Sequence, residues 1–262
     1  MDILTWNLDQ LERWFLMLFR IGSMLMVFPF YGYETIPVQI RMAFAFFVTV
    51  ILFPLHGAVD VMQFSPGVIA YFGIVLKEVI VGLAIGFSAQ FLFIGVQFAG
   101  QVVGRSMGYA IMNVVDPQTG QNMQIIGQLL QFLVLMIFIL INGHHFLIRA
   151  IDESFLQIPI GGGFYPAGGL EMAARLSADL FVIGIKVAAP VLVAILVAEF
   201  ALGVVARTVP QMNVWLLGFP LKIGIGLITI SLSLPMLVYL FGKIYAGWQG
   251  NIIDFIRDMA TG

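Results

Sequence analysis

Five ionisable side chains stand where such groups are rare. Lys77 and Glu78, Lys186, Glu199 and Lys222 all fall well inside long apolar stretches. An unpaired charge at the centre of a bilayer costs about 2.5–3.5 kcal/mol on insertion scales, so together they represent on the order of 10 kcal/mol and few can face lipid. Two readings stay open from the residues alone. The charges snorkel from near helix ends or pair between helices, or they face protein or water inside an assembly, where a proton or ion route is also conceivable. Lys186 and Glu199 cannot pair within one straight helix, because thirteen residues separate them by about 20 Å.

Other chemistry is sparse. The histidines are His56 and the pair His144-His145 in "NGHHF", and the chain has no cysteine. Adjacent helical positions point about 100° apart, and no spaced carboxylates accompany the pair, so a helix-end cap or packing role is expected rather than a metal site. Without cysteine there is no disulfide, thiolate ligand or thiol nucleophile. No phosphate-cradling glycine loop, nucleophile elbow or HExxH occurs, so no enzymatic activity and no cofactor are expected, and energy for any transport comes from elsewhere.

The elements that must position these groups follow from hydrophobicity. The chain has 262 residues, 61% of them hydrophobic and 10% charged, against about 25% charged in soluble domains. Apolar runs near 14–33, 40–58, 67–104, 125–148, 176–206 and 214–246 reach the roughly 20 residues that cross a bilayer. Only helices and closed barrels satisfy their backbone in lipid, and the runs lack the alternation of barrel strands. The expected fold is an all-α membrane protein of about six long, kinked helices. No hydrophilic block is large enough for a separate soluble domain, so residues 1–262 read as one integral membrane domain.

Several details qualify that outline. Runs 67–104 and 214–246 would measure about 57 and 50 Å as straight helices, so they must tilt, break or extend past the lipid. Pro190, Pro220 and Pro235 lack an N–H and are expected to bend their helices. Gly82 and Gly86, and Gly100, Gly104 and Gly108, form four-residue steps along which helices can approach closely. With both termini on one side, five basic residues flank that side and three the other, too weak a bias to orient the chain. The acidic first residues do not form a signal-peptide n-region, so the start is expected to be retained. A net charge of −2 gives no reason to expect nucleic acid.

Between the third and fourth runs lies "GRSMGYAIMNVVDPQTGQNMQ", residues 104–124, whose only charges are Arg105 and Asp116. "DPQTG" reads as a turn, with Pro117 setting φ and Asp116 able to bond the backbone ahead. Met107, Met112 and Met123 supply adaptable side chains. The segment is either an interhelical loop or a constriction, since irregular backbone at membrane depth is tolerated where it lines a cavity or lies in protein.

The order of "FRIGSMLMVFPFYG", "IPVQIRMAFAF", "KEVIVGLAIGF", "AGQVVGRSMG", "VVDP", "NGHHFLI" and "SFLQIPIG" resembles the FliR family. That family is the membrane export-gate component of the bacterial flagellar type III secretion system, homologous to the SctT subunit of injectisomes. The similarity runs in order from about residue 10 to 245.

The resemblance implies a subunit that forms, with FliP and FliQ homologues, a helical assembly whose pore passes unfolded export substrates, beside FlhB-type and FlhA-type components, in the inner membrane at the flagellar basal body. It implies helices arranged in hairpins, with a FliP-like part over residues 1–175 and a FliQ-like helical hairpin over 176–262. It further implies that the plug of the closed pore falls on about Ser106 to Asn122, with Met107, Gly108, Tyr109, Ile111, Met112, Asn113, Val114, Asp116 and Pro117 as its residues. Some relatives carry phenylalanines there; Ile111 and Val114 in this chain make an aliphatic, methionine-rich seal. An injectisome subunit and a self-contained secondary transporter are the alternatives, the latter marked by paired discontinuous helices in two matching halves.

Overall fold

The computed structural model of the chain describes residues 8–28, 37–56, 68–109, 125–162, 166–211 and 214–261. Within them the fold is helical throughout: α1 Leu8–Val27, α2 Val38–His56, α3 Val68–Met107, α4 Ile125–Leu140, α5 Gly143–Gln157, α6 Pro166–Thr208 and α7 Val214–Thr261. No strand occurs among the described residues.

The six apolar runs become seven helices because the fourth run is interrupted at Ile141-Asn142. Asn142 takes a left-handed conformation, φ 58°, which asparagine tolerates better than most residues and which cannot continue a helix. The chain restarts at Gly143, where His145 N–H bonds the Asn142 carbonyl at 3.0 Å. Pro190 lies inside α6, and Pro220 and Pro235 inside α7, with helix on both sides of each. The long runs prove longer still, 40, 43 and 48 residues for α3, α6 and α7.

The chain forms two compact units. One comprises residues 1–91, 142–177 and 247–262, the other residues 92–141 and 178–246. In the first, Trp14, Met17, Ile21 and Met24 bury one face of α1 at spacings of three and four, and Phe28, just past its end, is buried too. Trp14 meets Phe46 of α2 edge-on at 5.1 Å. Val81, Ile85 and Ala89 of α3 lie in the same core. Close approach is enforced by glycine, since a Cβ on Gly82 would overlap the Arg20 carbonyl oxygen and Ser23 Oγ. Trp248 Nε1 donates to the Ser88 carbonyl at 3.0 Å.

In the second unit Leu92, Val96, Ala99, Val103 and Met107 continue the buried stripe of α3, and Ile126, Leu130, Val134 and Phe138 bury α4. Gly100 and Gly127 abut so closely that a side chain on Gly100 would strike the Gly127 backbone. Phe93 stacks edge-on to Phe138, and Phe138 to Tyr245, at 5.4 and 5.6 Å.

What stays uncovered identifies the solvent. Phe47, Ile51 and Leu55, one turn apart on α2, are 63–69% exposed, and a stripe of that size and polarity belongs against lipid or another apolar chain. Hydroxyls are turned inward onto their own helices, as in Thr49 to the Ala45 carbonyl at 2.7 Å and Thr229 to Ile225 at 2.8 Å, which leaves no donor idle in hydrocarbon. Among the described residues four helices are long and apolar enough to cross a membrane, or five spans if α4 and α5 count together. The chain is a multi-pass membrane protein.

Candidate functional site

The intramembrane charges separate into matched and unmatched groups. Glu78 is buried in the first unit, where its partner is Arg20, fully buried on α1. Arg20 Nε donates to Glu78 Oε2 at 2.6 Å, and Nη1 donates to the carbonyls of Ser154 and Ile158 at 2.9 and 3.0 Å. The guanidinium carbon lies 4.4 Å from the centroid of the Phe155 ring. Glu78 Oε1 accepts the Gly161 N–H at 2.9 Å. Gly161 has φ 73°, a turn conformation that glycine adopts without strain and that presents the amide to the carboxylate. One carboxylate and one guanidinium thereby join α1, α3, the end of α5 and the turn after it. The fork geometry explains why arginine stands here, since an ammonium has no planar set of donors to share among three acceptors. Arg20 Nη2 has no partner among the described residues.

Lys77, next to Glu78 in sequence, points away and is exposed in the single chain. In the second unit Glu199 of α6 accepts from Lys222 Nζ of α7 at 2.5 Å, with the lysine half-buried and the glutamate more open. Lys186 is exposed and unpaired among the described residues. It borders a cavity of about 20 Å³ lined by Val103, Leu130, Pro190, Ile230 and Ser233 among others, room for roughly one water. Of the five charges singled out by sequence, Glu78 is thus buried, Lys222 half-buried, and Lys77, Lys186 and Glu199 exposed in the chain by itself.

The candidate plug begins at the C-terminal end of α3. Met107 is fully buried, and its terminal methyl occupies the space a Cβ on Gly226 of α7 would take. Gly108 has φ 93° and N–H bonded to the Arg105 carbonyl at 3.0 Å, with Phe219 packed against its Cα. A side chain at 108 would meet both the positive φ and the Phe219 ring, so glycine closes the helix. Tyr109 is half-buried. Ile111, Met112, Asn113, Val114, Asp116 and Pro117 lie outside the described residues.

His144 and His145 sit in the first turn of α5, rings 4.2 Å apart. Among the described residues no three His, Asp or Glu side chains are grouped to hold a metal ion. His56, at the end of α2, reaches Asp152 of α5 at 2.5 Å. Sequence reasoning missed Arg20 as the partner of Glu78. The signal was a lone arginine amid the first apolar run, but a partner 58 positions away is set by packing alone.

Long apolar helices, glycine-lined contacts between them and the Arg20–Glu78 and Glu199–Lys222 pairs define a multi-pass helical membrane protein. The sequence model of the family described as "Bacterial export proteins, family 1" matches residues 11–247, and the chain belongs to this family. It is similar to the flagellar biosynthetic protein FliR of Bacillus subtilis (strain 168), 31% identical over 242 residues that cover 91% of this chain and 92% of that protein. Its similarity to FliR of Escherichia coli (strain K12) is 28% over 254 residues, 96% and 95% of the two chains. With FliR of Aquifex aeolicus it shares 32% over 221 residues, 84% of each. The resemblance read from the ordered motifs therefore holds. The chain is a structural component of an export family and not an enzyme.

Proposed function

We propose that the chain is a subunit of the flagellar type III protein-export gate, forming with FliP and FliQ homologues the pore for unfolded flagellar subunits, alongside FlhB-type and FlhA-type components in the inner membrane at the basal body. The observation that carries this reading is family membership over residues 11–247 together with flagellar relatives matched over nearly their whole length. The segment 106–122 acts as the plug. Supporting this, α3 stops at Gly108 with Met107 and Gly108 held against α7, so the following residues leave from a fixed point. Residues from about 176 onward serve as the FliQ-like hairpin, in keeping with the Glu199–Lys222 pair between α6 and α7.

The test has two arms. In flagellated cells lacking their own FliR, the intact chain is expected to restore secretion of flagellar subunits. Removal of residues 110–116, with the complex still recovered, is expected to make the idle assembly leak small ions in a conductance or sodium-sensitivity assay. Unchanged ion tightness sinks the plug assignment, and recovery of the chain as a lone monomer from gentle detergent sinks the gate assignment.

A further inference from the structure

We propose that the face around Lys186 docks an apolar membrane helix of a different polypeptide, and that a carboxylate within that helix pairs with the Lys186 ammonium. The inference rests on the reading of the chain as one subunit of an export complex and names the chemistry of a partner.

Lys186 stands 20 residues from the start of α6 and 22 from its end, about 30 Å either way at 1.5 Å per residue. Within the apolar span Ala173–Thr208 it is still about 20 Å from the nearer limit. The lysine side chain therefore reaches neither limit of that apolar span. Lys77 differs, lying nine residues from the start of α3, about 14 Å along the axis. Around Lys186 the surface is apolar. Phe181, Val182, Ile185, Val193, Leu196 and Val197 of the same helix are 46–65% exposed, and the adjoining cavity offers one side-chain polar group besides Lys186, the Ser233 hydroxyl. Pro190, four residues on, has no N–H to give the Lys186 carbonyl.

Charge complementarity selects the occupant. The described residues of this unit hold five cations, Arg105, Lys186, Arg207, Lys222 and Lys243, and two carboxylates, Asp179 and Glu199. Glu199 is taken by Lys222. Asp179 is seven residues from Lys186 on its own helix, about 10 Å away along the axis. A second copy of the chain is a poor source, because its carboxylates at Glu78 and Glu199 are already matched. A foreign apolar helix bearing one Asp or Glu would neutralise Lys186 while covering the exposed aliphatic stripe, and a desolvated pair of this kind fixes register and partner.

The experiment uses the whole complex in native membranes. A hydrophobic carbodiimide, which joins an amine to a carboxylate in contact, is applied before extraction, and cross-linked peptides are read by mass spectrometry. A link from Lys186 to an Asp or Glu inside an apolar segment of a second polypeptide is expected. In parallel, Lys186→Glu is expected to lower complex recovery about tenfold or more, Lys186→Met less, and Lys186→Arg little; Lys186→Met carries no membrane-insertion penalty, so it separates lost pairing from lost folding. A link only to Asp179 of either copy overturns the proposal. So does full recovery with Lys186→Glu, or recovery that follows anionic lipid content with no link to protein, which assigns the site to a lipid phosphate. If the wild-type chain itself extracts as a monomer, the subunit reading fails as well, whereas an intact wild-type complex indifferent to Lys186 overturns this inference alone.

Discussion

Arg20 and Glu78, 58 positions apart, meet at 2.6 Å with neither side chain more than 3% exposed. Removing one member leaves a buried charge unmatched, which typically costs about 3–5 kcal/mol. Glu78→Gln is expected to lower the thermal unfolding midpoint of the purified chain strongly, and Arg20→Leu likewise. The double variant Arg20→Leu/Glu78→Leu should lose less than the sum, since no lone charge remains. It should not regain wild-type stability, because the Ser154 and Ile158 carbonyls and the Gly161 N–H lose their partners too. Unchanged midpoints in the single variants would refute the network's role.

Glycines on one helix should differ sharply in tolerance. Gly82→Ala places a methyl into the Arg20 carbonyl and Ser23 hydroxyl, whereas Gly73→Ala on the same helix meets nothing within 4 Å. Overpacking costs about 1–3 kcal/mol, while alanine in an open helical site gains up to about 1 kcal/mol. Detergent melting curves of the two variants should therefore shift in opposite directions, and equal shifts would contradict the packing described.

The Glu199–Lys222 pair is more open, with side chains 44% and 19% exposed. Its contribution is expected at about 0.2–1 kcal/mol in the isolated chain. Glu199→Gln should destabilise modestly, and the swapped variant Glu199→Lys/Lys222→Glu should recover most of the loss in a double-mutant cycle. A coupling energy of zero shows that the pair does not hold α6 to α7.

Because the chain has no cysteine, a single introduced thiol reports its own site. Val103→Cys should react slowly with a thiol reagent, since residue 103, one turn before Met107 on α3, is fully buried. Adding Gly226→Leu fills the space that the Met107 methyl uses, and labelling should accelerate about tenfold or more as the end of α3 is displaced. Equal rates would mean that Gly226 does not seat it.

Hydrophobicity and chain length settled the class of this protein without help from coordinates. Runs of apolar residues with one charge in ten cannot form a soluble core, and lipid permits little except helices, so the all-α membrane fold and four of its long spans were readable directly. The same reasoning marked Glu78, Glu199, Lys186 and Lys222 as charges needing an explanation. Pairing was beyond it. Glu78 finds Arg20 and Glu199 finds Lys222 across 58 and 23 positions, and which helices face one another depends on glycine contacts and side-chain fit summed over the whole chain. A helix end at "NGHHF" was legible, but the immediate restart of helix at Gly143 was not, because the φ of 58° at Asn142 is one conformation among several open to asparagine, selected by the packing on either side. Sequence alone determined which groups must be sheltered from lipid. Only tertiary structure decided which shelter each receives, because desolvation is a property of a residue's position in the apolar run, whereas pairing needs two positions brought together by everything between them.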